Sequence, residues 1–146
     1  MAEYITTSDA NVALNGTIPF GTVSIPCNMG NVIPLAVGVL NLKGNNRYNV
    51  KVKANVKIPT GGAVTPVAIG ITVNGSIIPE SVAIITPAAV EEYKFINTDA
   101  VITVPCGCCA SVSAIYVDGT EDDPATTPTP SIGIRRNASI TVTGIS

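Results

Sequence analysis

The four cysteines are the residues whose type comes nearest to reactive or metal-binding chemistry. Cys27 stands alone, and the cluster holds Cys106, Cys108 and Cys109. Thiolates suit Zn²⁺, but the C-x-C-C spacing is poor for zinc, because paired ligands are normally separated by about two to four residues. A disulfide from Cys27 to the cluster is a second alternative and needs an oxidising environment. Buried free thiols are the favoured interpretation, so we predict no metal site and no cofactor.

An acidic run supplies the second candidate site. It contains Asp118, Glu121, Asp122 and Asp123. Carboxylates are ligands for Ca²⁺, but the run lacks the glycine and the ligand spacing of a calcium loop. A solvated loop is the favoured interpretation, because the prolines of Pro124–Pro130 follow directly. We therefore predict an exposed acidic and proline-rich loop over residues 118–131.

Basic residues recur at strand spacing in one segment. Arg47, Lys51, Lys53 and Lys57 hold four of the eight positive charges. They could face an acidic partner, such as an anionic glycan. The favoured alternative is the wet face of a strand, or a sheet edge guarded by lysines against aggregation. The same two interpretations apply to Arg135 and Arg136.

No set of residues in the chain makes a recognisable catalytic site. Histidine is absent, which removes the commonest general base and metal ligand. No phosphate loop, dinucleotide-binding glycine pattern or nucleophile elbow occurs. Three triplets match glycosylation acceptors but are interpreted as turn and strand residues: Asn15-Gly16-Thr17, Asn74-Gly75-Ser76 and Asn137-Ala138-Ser139. We therefore expect a protein that is not an enzyme and has no catalytic residues.

The composition indicates a surface that is largely covered by partners. Charged residues make up 12% of the chain, against roughly 25% in typical domains. No charge occurs between Asp9 and Lys43. Large apolar surfaces usually mark interaction sites, so we expect self-association or docking on a larger assembly. The net charge of −2 favours neither nucleic acid nor an anionic membrane as a partner.

No targeting or membrane-spanning segment is recognisable in the sequence. The start, Met1–Tyr4, has neither a basic nor an apolar region of a signal peptide. The most apolar run, Val32–Leu42, contains Pro34 and is about half as long as a spanning helix. We therefore expect neither a secreted precursor nor a membrane protein.

The periodicity of the chain is that of β-strands. Apolar and polar residues alternate completely from Arg47 to Ile58, which places one set on each face of a sheet. Asn74-Gly75 is the strongest hairpin signal. Other predicted strands are Val12–Ile25 (one or two strands), Asn31–Leu42, Val64–Val73, Ser76–Ile85, Tyr93–Val104, Ala110–Val117 and Ile132–Thr143. The only helix candidate is Ala88–Tyr93. We predict one all-β domain over residues 1–146, an antiparallel jelly-roll sandwich of about eight to ten strands.

Three stretches carry a resemblance to a known family. They are Arg47–Val56, where an aromatic residue starts an alternating run, Ile69–Ile78 with its hairpin, and Ala100–Pro105 with the closing strand Ala138–Val142. In their order, they resemble the trimeric jelly rolls of the tumour necrosis factor and complement globular-head class. The likeness is greatest to phage head-fibre or capsid-decoration proteins and to C-terminal domains of spore-coat proteins. The Cys106–Cys109 turn and the aromatic content of 4% depart from the pattern.

The resemblance implies a homotrimer that decorates or projects from a bacteriophage capsid. Its partners would be the major capsid protein or another virion protein, and its location the virion surface, after synthesis in the host cytoplasm. Residues 1–25 are the candidate docking or strand-exchange arm, and Val12–Ile25 is its strand-like, uncharged part.

A receptor-binding tip that recognises a cell-surface glycan, or a spore-coat-type surface protein, is the alternative. Sugar sites usually present exposed aromatic rings. Six aromatic residues are present, and most are predicted to be buried: Tyr4, Phe20, Tyr48, Tyr93, Phe95 and Tyr116.

Overall fold

The computed structural model describes residues 2–25, 32–36, 38–44, 46–105, 109–119 and 129–145. Within them, the chain forms thirteen strands and one short 3₁₀ helix, Pro79–Ser81. The strands are β1 (Ala2–Ile5), β2 (Ala10–Ala13), β3 (Thr22–Ile25), β4 (Val32–Ala36), β5 (Val39–Lys43), β6 (Asn46–Lys57), β7 (Val67–Val73), β8 (Ser76–Ile77), β9 (Ala83–Ile85), β10 (Lys94–Val104), β11 (Cys109–Asp118), β12 (Ser131–Ile134) and β13 (Ser139–Ile145).

Two antiparallel sheets make up the sandwich. The seven-stranded sheet has the order β2-β12-β6-β13-β1-β3, with β10 on the other side of β6. The six-stranded sheet has the order β4-β5-β11-β7-β8, with β9 also pairing with β7. Every pairing between these strands is antiparallel. Side chains from both sheets meet in one hydrophobic cluster, which is the arrangement of a jelly-roll sandwich. The predicted fold class is therefore confirmed.

Strand β6 behaves as its alternating sequence predicts. The inward residues Tyr48, Val50, Val52, Ala54 and Val56 are all buried. The strand pairs with β10 on one side and with β12 and β13 on the other. The interpretation of its lysines as guards of a sheet edge is therefore wrong, because β6 has neighbours on both sides.

More strands form than predicted, in part because turns interrupt two of the apolar runs. Asn31–Leu42 was one predicted strand, but β4 and β5 form a hairpin across Gly38. Gly38 has a φ of 81°, and a Cβ there would collide with the carbonyl oxygen of Ile18. The run Ile132–Thr143 is interrupted by a turn at residues 135–138, after which β13 continues in the same direction as β12 along one side of β6. In both cases the two strands that flank the turn lie in one sheet, so the apolar pattern continues through the turn.

Strand β7 is buried on both faces. Residues Val67 to Thr72 are all buried. Strands β8 and β9 pair along the edge of β7, and the side chains of Ile77 and Val82 cover its outer face at Gly70. A Cβ at Gly70 would lie 2.7 Å from Ile77 Cδ1, so glycine makes room for this cover. The predicted strand Ser76–Ile85 is thus divided into three elements. The helix candidate Ala88–Tyr93 forms only bends and a turn.

The N-terminal segment is part of the sandwich. Strand β1 lies between β13 and β3, and β2 pairs with β12. Val12, Ile18 and Phe20 are buried in the chain's own core. A role of residues 1–25 in docking or strand exchange stays a prediction.

The predicted exposed loop over residues 118–131 lies mostly outside the described residues, which omit 120–128. Its two ends belong to the sandwich, because Asp118 ends β11 and Ser131 begins β12. Thr129 is buried, so the loop boundaries predicted from sequence are too wide. None of the helical structure in the described part of the chain is long and apolar enough to cross a membrane.

Candidate functional site

The face of the seven-stranded sheet that points away from the core carries the basic residues; we call it the outer face. Arg47, Lys51 and Lys53 are exposed on it, and Lys57 is half-buried. The wet-face interpretation of these residues is therefore correct. Arg135 lies beside them, because its backbone N–H donates to the carbonyl of Asn55 on β6. This face thus holds five of the chain's eight positive charges.

Two large apolar side chains also lie on the outer face. Phe95 and Val101 belong to β10, opposite Asn55 and Asn49 of β6. Phe95 is 54% exposed and Val101 is 53% exposed. Among the described strands, β10 pairs only with β6. The edge of the sheet therefore combines exposed apolar groups with a strand that has an unpaired side.

A shallow groove of about 370 Å³ crosses the middle of the outer face. Its walls include Lys51, Lys53, Asp99 and Thr141, and both Asp99 and Thr141 lie directly opposite Lys51 in neighbouring strands. Ser139 Oγ, opposite Lys53, is buried without a hydrogen-bond partner among the described residues. Buried polar groups normally form hydrogen bonds, so this hydroxyl is an unused hydrogen-bond donor and acceptor on the outer face.

One end of the outer face is organised around Tyr93. Lys57 Nζ lies 5.2 Å from the centre of the Tyr93 ring, and Arg135 Cζ lies 5.7 Å from it. Both distances are within the range of cation–π attraction. Gly133, opposite Lys57, leaves room for the lysine stem, whose Cε would be 2.9 Å from a Cβ there.

The carboxylate of Glu91 holds the side chain of Lys57 beside Tyr93. Glu91 Oε2 accepts from Lys57 Nζ at 2.7 Å, and Glu91 Oε1 accepts from the N–H of Thr60 at 2.6 Å. The hydrogen bond from Lys57, followed by those from Thr60, lowers the pKa of Glu91 to about 2. The same hydrogen bond raises the pKa of Lys57. Glu91 has a φ of 68°, a conformation that is rare outside glycine, so these contacts hold the backbone in an uncommon turn.

Cys109, the one cysteine among the described residues, lies away from this face. Cys109 starts β11 in the six-stranded sheet and is exposed with a free thiol. The prediction of a buried thiol is therefore wrong for Cys109, because it begins an exposed strand end opposite Lys43. Cys27, Cys106 and Cys108 lie outside the described residues, so the disulfide and zinc alternatives stay untested. Of the acidic run, only Asp118 is described, and it is half-buried.

The three asparagines of the glycosylation-like triplets are turn residues. Asn15, Asn74 and Asn137 have φ values of 66°, 52° and 70°. Asparagine tolerates this left-handed region better than most residues. The interpretation of these triplets as turn chemistry therefore fits their backbone conformation.

Four of the six aromatic residues are buried, and the other two lie at the surface. Tyr4, Phe20, Tyr48 and Tyr116 are buried, as predicted for most of the six. Tyr93 is half-buried and Phe95 exposed. Tyr93 directly precedes β10 and contacts Lys57 and Arg135, and Phe95 of β10 lies opposite Asn55, so both share the outer face with the basic residues. Their spacing was visible in the sequence, but the pairing of β10 with β6 was not.

Comparisons with known proteins identify the fold. No protein-family model matches the chain, and no curated protein matches it. The chain is similar to the solved structure of Eiger TNF from S. frugiperda, with a TM-score of 0.69 at 7% identity over 99% of this chain and 91% of that one. It is also similar to the globular domain of zebrafish complement 1qA protein, with a TM-score of 0.63 at 10% identity over 99% of this chain and 96% of that one. This protein therefore has the jelly-roll fold of tumour necrosis factor and complement globular-head domains.

Proposed function

We propose that this protein is a structural virion protein, a trimeric globular head that decorates or projects from the capsid surface of a bacteriophage. The main observation in support of self-association is that Phe95 and Val101, on an edge strand, are each more than half exposed. The low charge content of 12% supports it, because a monomer would leave much apolar surface in water. The trimer is the assembly that the resemblance of the sequence implies.

In this proposal, three copies pack the β10 edges of their sandwiches near a common axis. Phe95 and Val101 would become buried there, and Lys51 and Asp99 would find partners across the contact. Other surfaces would remain for docking on the capsid shell, and the segment Val12–Ile25 is the proposed docking element. The function is mechanical and adhesive, and needs no bond-making chemistry.

The mass of the purified protein in solution tests the assembly. We expect multi-angle light scattering to give three times the chain mass of 14.9 kDa, under reducing conditions and both with and without a chelator. A monomer at micromolar concentration would overturn the assembly. A trimer that dissociates only with chelator would overturn the prediction that no metal is bound and implicate the cysteine cluster.

The virion location has its own test. Virus particles released by the host that carries this gene can be purified by density and digested for mass spectrometry. Peptides of this chain should accompany those of the major capsid protein in a fixed ratio across the gradient. If peptides from the whole capsid protein are detected in these particles but none from this chain, the virion role is wrong even if the trimer is real.

A glycan-binding tip or spore-coat-type surface module is the second candidate. It is favoured by the exposed ring of Phe95 beside half-buried Tyr93, since aromatic rings with a polar tip suit sites that are partly apolar and partly wet. An array of bacterial surface glycans tests it. Selective binding that Phe95→Ala abolishes would support this candidate, and no binding to any glycan by the intact trimer would count against it.

A further inference from the structure

We propose that Arg135 and Arg136, with the polar loop that follows β1, form a binding site for an anionic saccharide, a sugar ring that carries a carboxylate or phosphate group. This inference deepens the glycan-binding candidate and does not depend on the trimer or on the virion location. The site is an open depression of about 380 Å³ lined by Thr7, Ser8, Asp9, Arg135 and Arg136.

The backbone of this site is held firmly by hydrogen bonds between two connections. The N–H of Asn137 donates to the carbonyl of Thr6 at 2.9 Å, and the N–H of Ala138 donates to Thr6 Oγ1 at 3.1 Å. The N–H of Arg136 donates to Asp9 Oδ1 at 2.9 Å. These bonds fix the β1–β2 loop against the β12–β13 turn, so little backbone ordering would remain to oppose binding.

The two guanidinium groups are the anion-binding element. Neither Arg135 nor Arg136 forms an ion pair with a carboxylate in the part of the chain that the structure describes. Arginine presents a planar fork of donors that matches carboxylate and phosphate oxygens in pairs. Tyr93 acts as a positioning residue, because its ring holds the Arg135 guanidinium by cation–π attraction.

The remaining lining groups fit a polyhydroxylated ligand better than a bare anion. Thr7 and Ser8 offer hydroxyls, and the second oxygen of Asp9 can accept from a sugar hydroxyl. With Asp9 included, the depression carries a net charge of one positive, which suits a ligand with a single acidic group. The chain's overall charge of −2 argues against nucleic acid as the occupant.

Isothermal titration calorimetry on the full chain tests the site at low ionic strength. The probes are digalacturonic acid for the carboxylate arm, glucose 6-phosphate for the phosphate arm, and neutral maltose as the reference. We expect at least one acidic probe to bind and maltose to bind at least about tenfold more weakly. Arg135→Gln and Arg136→Gln should each weaken the acidic probe by about tenfold or more, the range of a lost charge-assisted hydrogen bond. Tyr93→Leu should weaken it less, and Tyr93→Phe should leave it unchanged.

Lys43→Gln is the matched control, because it removes one exposed positive charge from the six-stranded sheet. It should bind like the unmodified chain. If Lys43→Gln weakens the acidic probe as much as the arginine variants do, binding reports net charge alone and the site is wrong. Equal affinity for maltose and both acids would also overturn the site but would leave the glycan-binding candidate standing. If no acidic probe binds to a correctly folded chain, the proposed site is overturned as well.

Discussion

Ser81 shows how one buried hydroxyl holds a covering segment on a sheet. Its Oγ accepts from the N–H of Ile71 at 2.9 Å and donates to the carbonyl of Ile78 at 2.7 Å. Its carbonyl accepts from Thr98 Oγ1. The residue is fully buried, so it links β7, the 3₁₀ helix and β10 where no water can replace a lost partner.

We predict that Ser81→Ala lowers the free energy of unfolding by about 1–3 kcal/mol, because it leaves the N–H of Ile71 buried and unsatisfied. Urea denaturation at one fixed protein concentration measures the change. The exposed Ser76 on the same segment gives the control, and Ser76→Ala should stay within about 0.5 kcal/mol. Equal effects of the two variants would show that the hydroxyl contacts carry no stability.

Tyr116 makes the free energy of unfolding depend on pH in the alkaline range. Its hydroxyl donates to the carbonyl of Thr129 at 2.7 Å, and burial, with a smaller contribution from Asp118, raises the pKa of Tyr116 to about 12. Since the folded pKa lies above the ordinary value of 10.0, the contribution is complete below pH 10. It is lost as pH rises from about 10 to about 12, where the unfolded chain ionises first.

We expect Tyr116→Phe to lower the free energy of unfolding by about 1 kcal/mol at neutral pH, through the lost hydrogen bond. The difference from the unmodified chain should shrink as pH rises from about 10 to 12. Denaturation curves at several pH values give this comparison, and the absorbance of tyrosinate reports the pKa directly. A difference that does not change with pH would contradict the raised pKa.

At the scale of elements, the Glu91 carboxylate joins the end of β6 to the connection that leads into β10. It binds Lys57 of β6 and Thr60 of the following turn, and the N–H of Glu91 donates to the carbonyl of Ile58. The pKa of Glu91 is lowered to about 2, so the carboxylate stabilises this junction above its ordinary pKa of 4.5. That contribution is lost as pH falls from about 4.5 towards 2.

We predict that Lys57→Met raises the pKa of Glu91 from about 2 towards 4.5, without reaching it, because Thr60 still donates two hydrogen bonds. Carbon-13 chemical shifts of the Glu91 carboxyl measure the titration. Lys43→Met, which removes a distant lysine, should leave the titration in place. An unchanged pKa in Lys57→Met would show that the ion pair seen here does not persist in solution.

For the whole molecule, the two sheets differ in what they leave exposed. The outer face of the seven-stranded sheet carries the basic residues together with Phe95 and Val101, which are 54% and 53% exposed, whereas the exposed large apolar side chains of the six-stranded sheet are Ile84 and Ile77, at 54% and 37%. An assembly that buries the β10 edge would cover Phe95 and Val101 beside the basic residues.

We expect Val101→Asp to raise the dissociation constant of the assembly at least about a hundredfold, because it would leave an uncompensated charge in the contact. Sedimentation equilibrium measures this constant. Val64 is 45% exposed but lies in the loop before β7, so Val64→Asp should leave the assembly unchanged. Both variants should keep the unfolding stability of the single chain within about 0.5 kcal/mol. An intact assembly with Asp at position 101 would place the contact elsewhere.

The sequence by itself determined the fold class and the two faces of β6. A period of two residues is a local property, and it predicts burial wherever one face of a strand meets a core. It also led to the correct interpretation of Arg47, Lys51 and Lys53 as exposed. It did not reveal the turns at Gly38 and Asn137, because the strands that flank each turn lie in one sheet and continue the same apolar pattern.

Only the tertiary structure decided which distant residues meet. Tyr93, Lys57 and Arg135 come together because β10 and β12 both pair with β6, and strand pairing between distant segments depends on the whole core. The pairing also placed β6 between β10 on one side and β12 and β13 on the other, which ruled out the interpretation of its lysines as guards of a sheet edge. Strand order depends on how the two inner faces pack against each other, so a pattern confined to one segment could not have fixed it.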